Sequence, residues 1–200
     1  MQLRRGFKTE SATLVKDIRV ELGLNTLQGL DPLRLASHLN IPVVPLTELS
    51  IDTALARFFL HDKKDVFSAL TVFDGYRRMI LHNDSHSPAR QNSNLAHELA
   101  HALLFHEPTP AVDRLTGCRD WNEVREQEAA WLGGELLVSS DMALAVARGR
   151  LTRQQAKQRC GVSEKMLNWR LYHSGAIKRA ERECARRRHS SRRPHSGRSA

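Results

Sequence analysis

Ala96-His97-Glu98-Leu99-Ala100-His101 decides how this chain is read. Wound as a helix, at about 3.6 residues per turn, it puts His97 and His101 one turn apart on one face, with their imidazoles converging. Two neutral imidazoles so placed suit a zinc ion, and Glu98 beside them can take a proton from a water that the metal has acidified. The competing reading is a solvated surface helix, and it requires polar surroundings. Here Leu95, Ala96, Leu99, Ala100, Ala102, Leu103, Leu104 and Phe105 make the helix apolar over most of its circumference, behind Ser87-Pro88 as N-cap and first helical residue. Such a helix is interior. Its histidines and glutamate then need hydrogen bonds or a metal, because an unpaired buried charge is strongly unfavourable.

A catalytic zinc keeps three protein ligands and one open position. His106 and Glu107 lie just downstream, but a HExxHxxGxxH arrangement would need its turn glycine at Leu104, and leucine there lets the helix run on past the metal. A better donor lies on a second helix, Trp121 to Ser139, which reads WNEVREQEAAWLGGELLVS and carries Glu126, Glu128 and Glu135. Glu128 comes 27 residues after His101, room for a loop and an antiparallel return. Glu126 and Glu135 suit a solvated helix face.

These two helices resemble those of the ImmA/IrrE zinc metallopeptidases. The family pattern is an arginine and glutamine, an AHExxH helix, then a helix of the form ExEAxxxAxxLL. It appears here as Arg90-Gln91, Ala96 to His101, and Glu126-Gln127-Glu128-Ala129 through Leu136-Leu137. The resemblance implies that the second glutamate of ExEA, Glu128, is the third zinc ligand beside His97 and His101, with Glu98 as the catalytic base. It further implies a protein substrate, often a helix-turn-helix repressor encoded nearby, whose cleavage relieves repression in a stress response or a mobile element. The chain departs from the pattern at Ser93 and Asn94, where an aromatic and a threonine are usual, and at Ala130, where a polar residue is usual.

The rest of the chain reads as scaffold. Two hundred residues at 40% hydrophobic and 26% charged suit one globular domain with appendages. Cys118, Cys160 and Cys184 are odd in number and scattered, which argues for a reducing interior. No segment approaches the ~20 apolar residues of a membrane span, so a cytoplasmic protein without membrane contact is expected. Leu14, Val15, Ile18 and Leu22 form one stripe of a helix from Thr9 to Leu22, and Asp31-Pro32 opens a short second helix ended by Asn40. Ile41 to Leu46, with two prolines, suits an edge strand. Residues 56–61, 66–73 and 76–82 are strand-like, the last two joined through Asp74-Gly75 as a hairpin. Tyr76, His82 and His86 are the candidates for an oxyanion-stabilising donor, although no spacing rule selects among them.

After Ser139-Ser140 the sequence from Thr152 to His173 has the outline of a helix-turn-helix, with Gly161 in the turn and Ser163 as cap; Lys157 stands where a small packing residue is usual. From Ala176 onward nine Lys and Arg against two Glu give +7 of the chain's +9. Residues 176–188 can form a basic helix, and the remainder has too few apolar residues to order itself. The expectation is therefore an α+β, mainly helical zinc-peptidase domain with a small, partly antiparallel sheet over 1–139. A helix-turn-helix-like segment at 140–175 and an Arg-rich, unstructured tail at 176–200 follow it. One catalytic Zn2+, held by His97, His101 and Glu128, would serve cleavage of a repressor or antitoxin-type protein, with nonspecific nucleic-acid contact through the tail. Two readings from other classes remain: a DNA-binding regulator whose zinc is closed by a fourth ligand such as His106, and a toxin–antitoxin partner that cuts nothing.

Overall fold

A computed structural model describes residues 3–49, 67–75, 77–106 and 122–190. The expected strand at 56–61, Tyr76, Glu107, Cys118, the loop after His106 and the last ten residues lie outside the described residues. Among those described, the order is α1 (Phe7–Glu21), α2 (Pro32–His38), β1 (Val43–Pro45), β2 (Ala69–Asp74), β3 (Arg77–His82), α3 (Pro88–Leu103), α4 (Glu123–Leu137), α5 (Ser140–Ala147), α6 (Arg153–Cys160), α7 (Glu164–His173) and α8 (Ala176–Ser190). This is the mainly helical α+β architecture that the sequence implies.

The helix ends follow local chemistry. Asp31 accepts from the Leu33 amide, Asn122 from Arg125, Ser139 from Met142 and Ser163 from Met166, each satisfying an amide that the first turn cannot pair. Thr152 and Gln155 close a reciprocal capping box at α6, and Gly161 ends that helix in the left-handed conformation.

The sheet order is β1-β3-β2, with β1 parallel and β2 antiparallel to β3. Asp74 pairs with Arg77, and Gly75, at φ 58°, leads the chain out of β2 into the hairpin turn. β1, carrying Pro42 and Pro45 at its ends, takes an edge as its prolines require.

Two apolar clusters lie on either side of the α3–α4 pair. One joins Val15, Ile18, Leu35 and Ile80 to Leu95, Leu99, Ala100, Ala129, Leu132 and Leu136. The other joins Ala96 and Leu137 to Met142, Ala143, Ala156, Leu167 and Leu171 from α5, α6 and α7. Residues 140–173 thus complete the burial of the two central helices. Arg170 of α7 anchors this union: fully buried, it pairs with Glu135 of α4 and donates through Nε to the Val138 carbonyl at 3.0 Å. Glu135 in turn receives the Ser140 amide at 2.6 Å. Glu135 is therefore a buried structural acid, where a solvated helix face was expected.

The first part of the tail is helical, as residues 176–188 allow. Residues 176–190 form helix α8, which docks on α5 through buried Ala176 and a two-point Arg148–Glu183 pair at 2.6 and 2.7 Å. Its acidic residues make the contact: Glu183, one of only two carboxylates in a basic segment, meets a bidentate arginine partner that composition alone could not locate. No single helix among the described residues is long and apolar enough to cross a membrane.

Candidate metal centre

α3 runs over the sheet and presents His97 and His101 toward α4. The approach of the two helices is set by Gly133, where an added Cβ would lie 3.0 Å from the Ala96 carbonyl oxygen. Glycine there allows backbone contact that any side chain would prevent. The residues of α4 that face α3 are consequently those in register with Gly133, namely Ala129 and Ala130 one turn before it and Glu126 two turns before it.

The three donors meet closely. His97 Nε2 lies 3.1 Å from His101 Nε2 and 3.2 Å from Glu126 Oε2, and His101 Nε2 lies 3.7 Å from Glu126 Oε1. Among the described residues, His97, His101 and Glu126 form the group able to hold a metal ion. Two imidazoles and one carboxylate match the nitrogen and oxygen donors of catalytic zinc sites. Bonds of about 2.05 Å in a tetrahedron place such donors roughly 3.3 Å apart, close to the separations found. Side-chain exposures of 31% for His97, 22% for His101 and 26% for Glu126 leave the centre reachable from solvent. Hydrogen bonds from His101 and His97 hold the Glu126 carboxyl well below the usual carboxylate range, so it is anionic at neutral pH.

The third donor expected at Glu128 is replaced by Glu126. Two residues of helix rotate a side chain by about 200°, so Glu126 and Glu128 cannot both face α3. Glu128 is buried outside the donor cluster, with Oε1 3.3 Å from Arg4 Nε and Oε2 3.7 Å from His106 Nε2. The sequence did carry a signal for Glu126: small residues at i+3, i+4 and i+7 from it mark the stripe where another helix can come close.

α3 ends at Leu103, and Phe105 adopts φ 52° while remaining 85% exposed, so Leu104 does not prolong the helix. The turn swings His106 back until its Nδ1 lies 2.9 Å from His101 Nδ1. That is the nitrogen of His101 turned away from the donor cluster, so His106 is not a fourth ligand in this arrangement. Burial, with the neighbouring His101, pushes His106 down to about 4, leaving it neutral at pH 7. A neutral ring can accept at Nδ1 from His101 and carry its own proton at Nε2, toward Glu128. A metal on His101 Nε2 would require that tautomer of His101, which the Glu128–His106 pair would then hold from behind.

Glu98 sits on the sheet side of α3 and accepts a 2.6 Å hydrogen bond from the Thr71 hydroxyl of β2. Sequence reasoning missed Thr71, since a hydroxyl in a strand carries no pattern. The Arg90-Gln91 pair has a structural task. Gln91 donates to the Asp84 and His86 carbonyls at 2.9 and 2.7 Å, and Arg90 reaches Ser68 Oγ at 3.2 Å, tying the loop before α3 to the sheet. His82 is buried at the end of β3, and the His86 ring meets Asn94 at 3.4 Å; neither belongs to the donor cluster.

A family model described as the IrrE N-terminal-like domain, from a peptidase family, matches residues 36–172. The chain belongs to that family. The IrrE-like match crosses residue 139 and runs through α7, in keeping with the buried cluster that joins α5–α7 to the metal helices. No curated protein matches the chain.

Proposed function

We propose that this IrrE-like chain is a zinc-dependent endopeptidase acting on a protein substrate, a helix-turn-helix repressor in a stress-response or mobile-element circuit. The observation that carries the reading is the convergence of His97, His101 and Glu126 next to Glu98. His97 and His101 would hold a zinc ion through Nε2, and Glu126 would add the negative charge that completes the donor set. Bound there, the metal would supply a water of pKa ~7 and polarise the scissile carbonyl. Glu98 would take that water's proton at a carboxylate oxygen and hand it to the leaving amine. Thr71 holds that carboxylate by its Oε2, leaving the other oxygen for the proton. β2 lies at a sheet edge among the described residues, so an extended substrate can add to it as a strand beside Glu98.

The test is incubation of the zinc-loaded protein with the product of the adjacent reading frame, against Glu98→Gln. The variant keeps its zinc and loses ~100-fold or more of cleavage. Equal cleavage by both proteins would remove Glu98 from the mechanism, and a Glu98→Gln protein without zinc would make Glu98 structural.

A further inference from the structure

A second cavity opens one helical turn from the donor cluster. It has a volume of about 590 Å3 and lies between the first turns of α3, the middle of α4 and helix α7. Ser93 lines it from α3, four residues before His97, and Ala130 lines it from α4, four residues after Glu126. On antiparallel helices these offsets point the same way along the groove, so the cavity begins about 5 Å from the metal ligands. Ser93 and Ala130 are small, and a larger residue at either position would fill the cavity mouth. The Ser93 hydroxyl is turned back onto the Ala89 carbonyl at 3.0 Å, which leaves its methylene toward the opening.

Helix α7 supplies the far wall. Met166 and Trp169 are half-buried there, and Trp169 is braced edge-on against buried Trp131 with ring centroids 6.0 Å apart. Gly134 makes the bracing possible, because a Cβ at that position would meet the Trp169 ring at 2.7 Å. Lys165 stands at the exposed edge of the same lining, in which no carboxylate appears among the described residues. The cavity is therefore a largely apolar slot with an aromatic wall and a positive charge at its rim, its nearest lining residues, Ser93 and Ala130, one helical turn from the donors His97 and Glu126.

We propose that this slot is a specificity pocket: it takes a bulky apolar side chain, leucine-like or aromatic, of the substrate residue flanking the scissile bond, and it rejects lysine and arginine. The proposal rests on the peptidase reading and makes α7, the second helix of the helix-turn-helix outline, a substrate-binding element. A peptide whose carbonyl sits at the metal carries its neighbouring side chain about one residue length, roughly 3.4 Å, farther along, within reach of the mouth. The positive rim sets the charge preference, since like charges at such a distance in a partly buried slot repel strongly.

The probes are two series of hydroxamates, substituted on one or the other side of the zinc-binding group with hydrogen, isobutyl, benzyl or 4-aminobutyl. Each is titrated calorimetrically into the full-length protein loaded with zinc. In one series the isobutyl and benzyl compounds should bind about 30-fold or more tighter than the unsubstituted one, the order expected from burying a leucine-sized side chain. The 4-aminobutyl compound should gain little. Ala130→Leu should erase the apolar advantage while the unsubstituted compound binds as before. Ser93→Leu serves the same purpose if Ala130→Leu disturbs zinc loading. Lys165→Glu, at an exposed position, should improve 4-aminobutyl binding selectively. If the unsubstituted compound binds but neither series shows an apolar advantage, or the advantage survives both filling variants, the pocket is refuted and the peptidase reading stands. If 4-aminobutyl binds as tightly as isobutyl, the selectivity is refuted. If no hydroxamate binds a protein shown to carry zinc, the pocket falls together with the peptidase reading.

Discussion

Exchanging the two glutamates of α4 one at a time tests the centre most directly. Glu126→Gln and Glu128→Gln each keep the side-chain volume and remove one negative charge, so packing is held nearly constant. Glu126 contacts both ligand nitrogens, at 3.2 and 3.7 Å. Four-ligand zinc sites yield apparent binding free energies of ~10–16 kcal/mol, or roughly 2.5–4 kcal/mol per ligand, so losing the carboxylate should weaken zinc by ~100-fold or more. Glu128 reaches the ligands only through His106, across gaps of 3.7 and 2.9 Å. Outer partners of this kind tune affinity by ~10–100-fold, so Glu128→Gln should fall in that smaller range. Apparent affinities can be read by competition with a chromogenic zinc chelator at pH 7.5, with a circular dichroism melt to confirm that each apo-protein is folded. The prediction orders the variants as wild type, then Glu128→Gln, then Glu126→Gln. A folded Glu126→Gln that holds zinc like wild type while Glu128→Gln loses it would refute the geometry and restore Glu128 as ligand.

Thr71→Val removes the hydroxyl bonded to Glu98 and touches no metal donor. Zinc content should stay at one per chain while turnover drops by ~10-fold or more through a misplaced base; unchanged turnover would show that the bond is incidental. Arg170→Met leaves Glu135 charged and unpaired in the interior. Urea unfolding should show a loss of ~3–5 kcal/mol, recovered in large part by adding Glu135→Leu, and a loss below ~1 kcal/mol would mean that the pair contributes no net stability. Burial raises the Cys160 thiol from 9.0 to about 11, whereas Cys184 is exposed. Iodoacetamide at pH 8 should therefore modify Cys184 and spare Cys160 in peptide maps. The raised value also ties Cys160 to alkaline stability. The unfolded thiol ionises first, so its contribution of ~3 kcal/mol is intact below pH 9 and lost as pH rises through 11; a Cys160→Ala protein should show a flatter profile over that window.

The sequence by itself determined what depends on neighbours along the chain. A four-residue spacing on a helix fixes the convergence of His97 and His101 and puts Glu98 beside them, whatever the rest of the fold does. Capping residues fixed most helix starts, Gly75 placed the hairpin turn, and the prolines around β1 confined it to an edge. The third donor was of another kind. Glu126 and Glu128 are both acidic residues in one helix, and which of them meets the histidines depends on how α4 is rotated against α3. That rotation is set where Gly133 lets the helix backbones touch, a contact between residues 37 positions apart. The same holds for His106, brought back to His101 by a left-handed Phe105, and for Thr71, aimed at Glu98 only because β2 packs under α3. Arg170 is polar by composition and buried in fact, because Glu135 and the Val138 carbonyl await it. Short-range patterns act through helix and strand periodicity and so can be read along the chain. Partners distant in sequence are chosen by the packing of whole elements, and only the tertiary structure decides them.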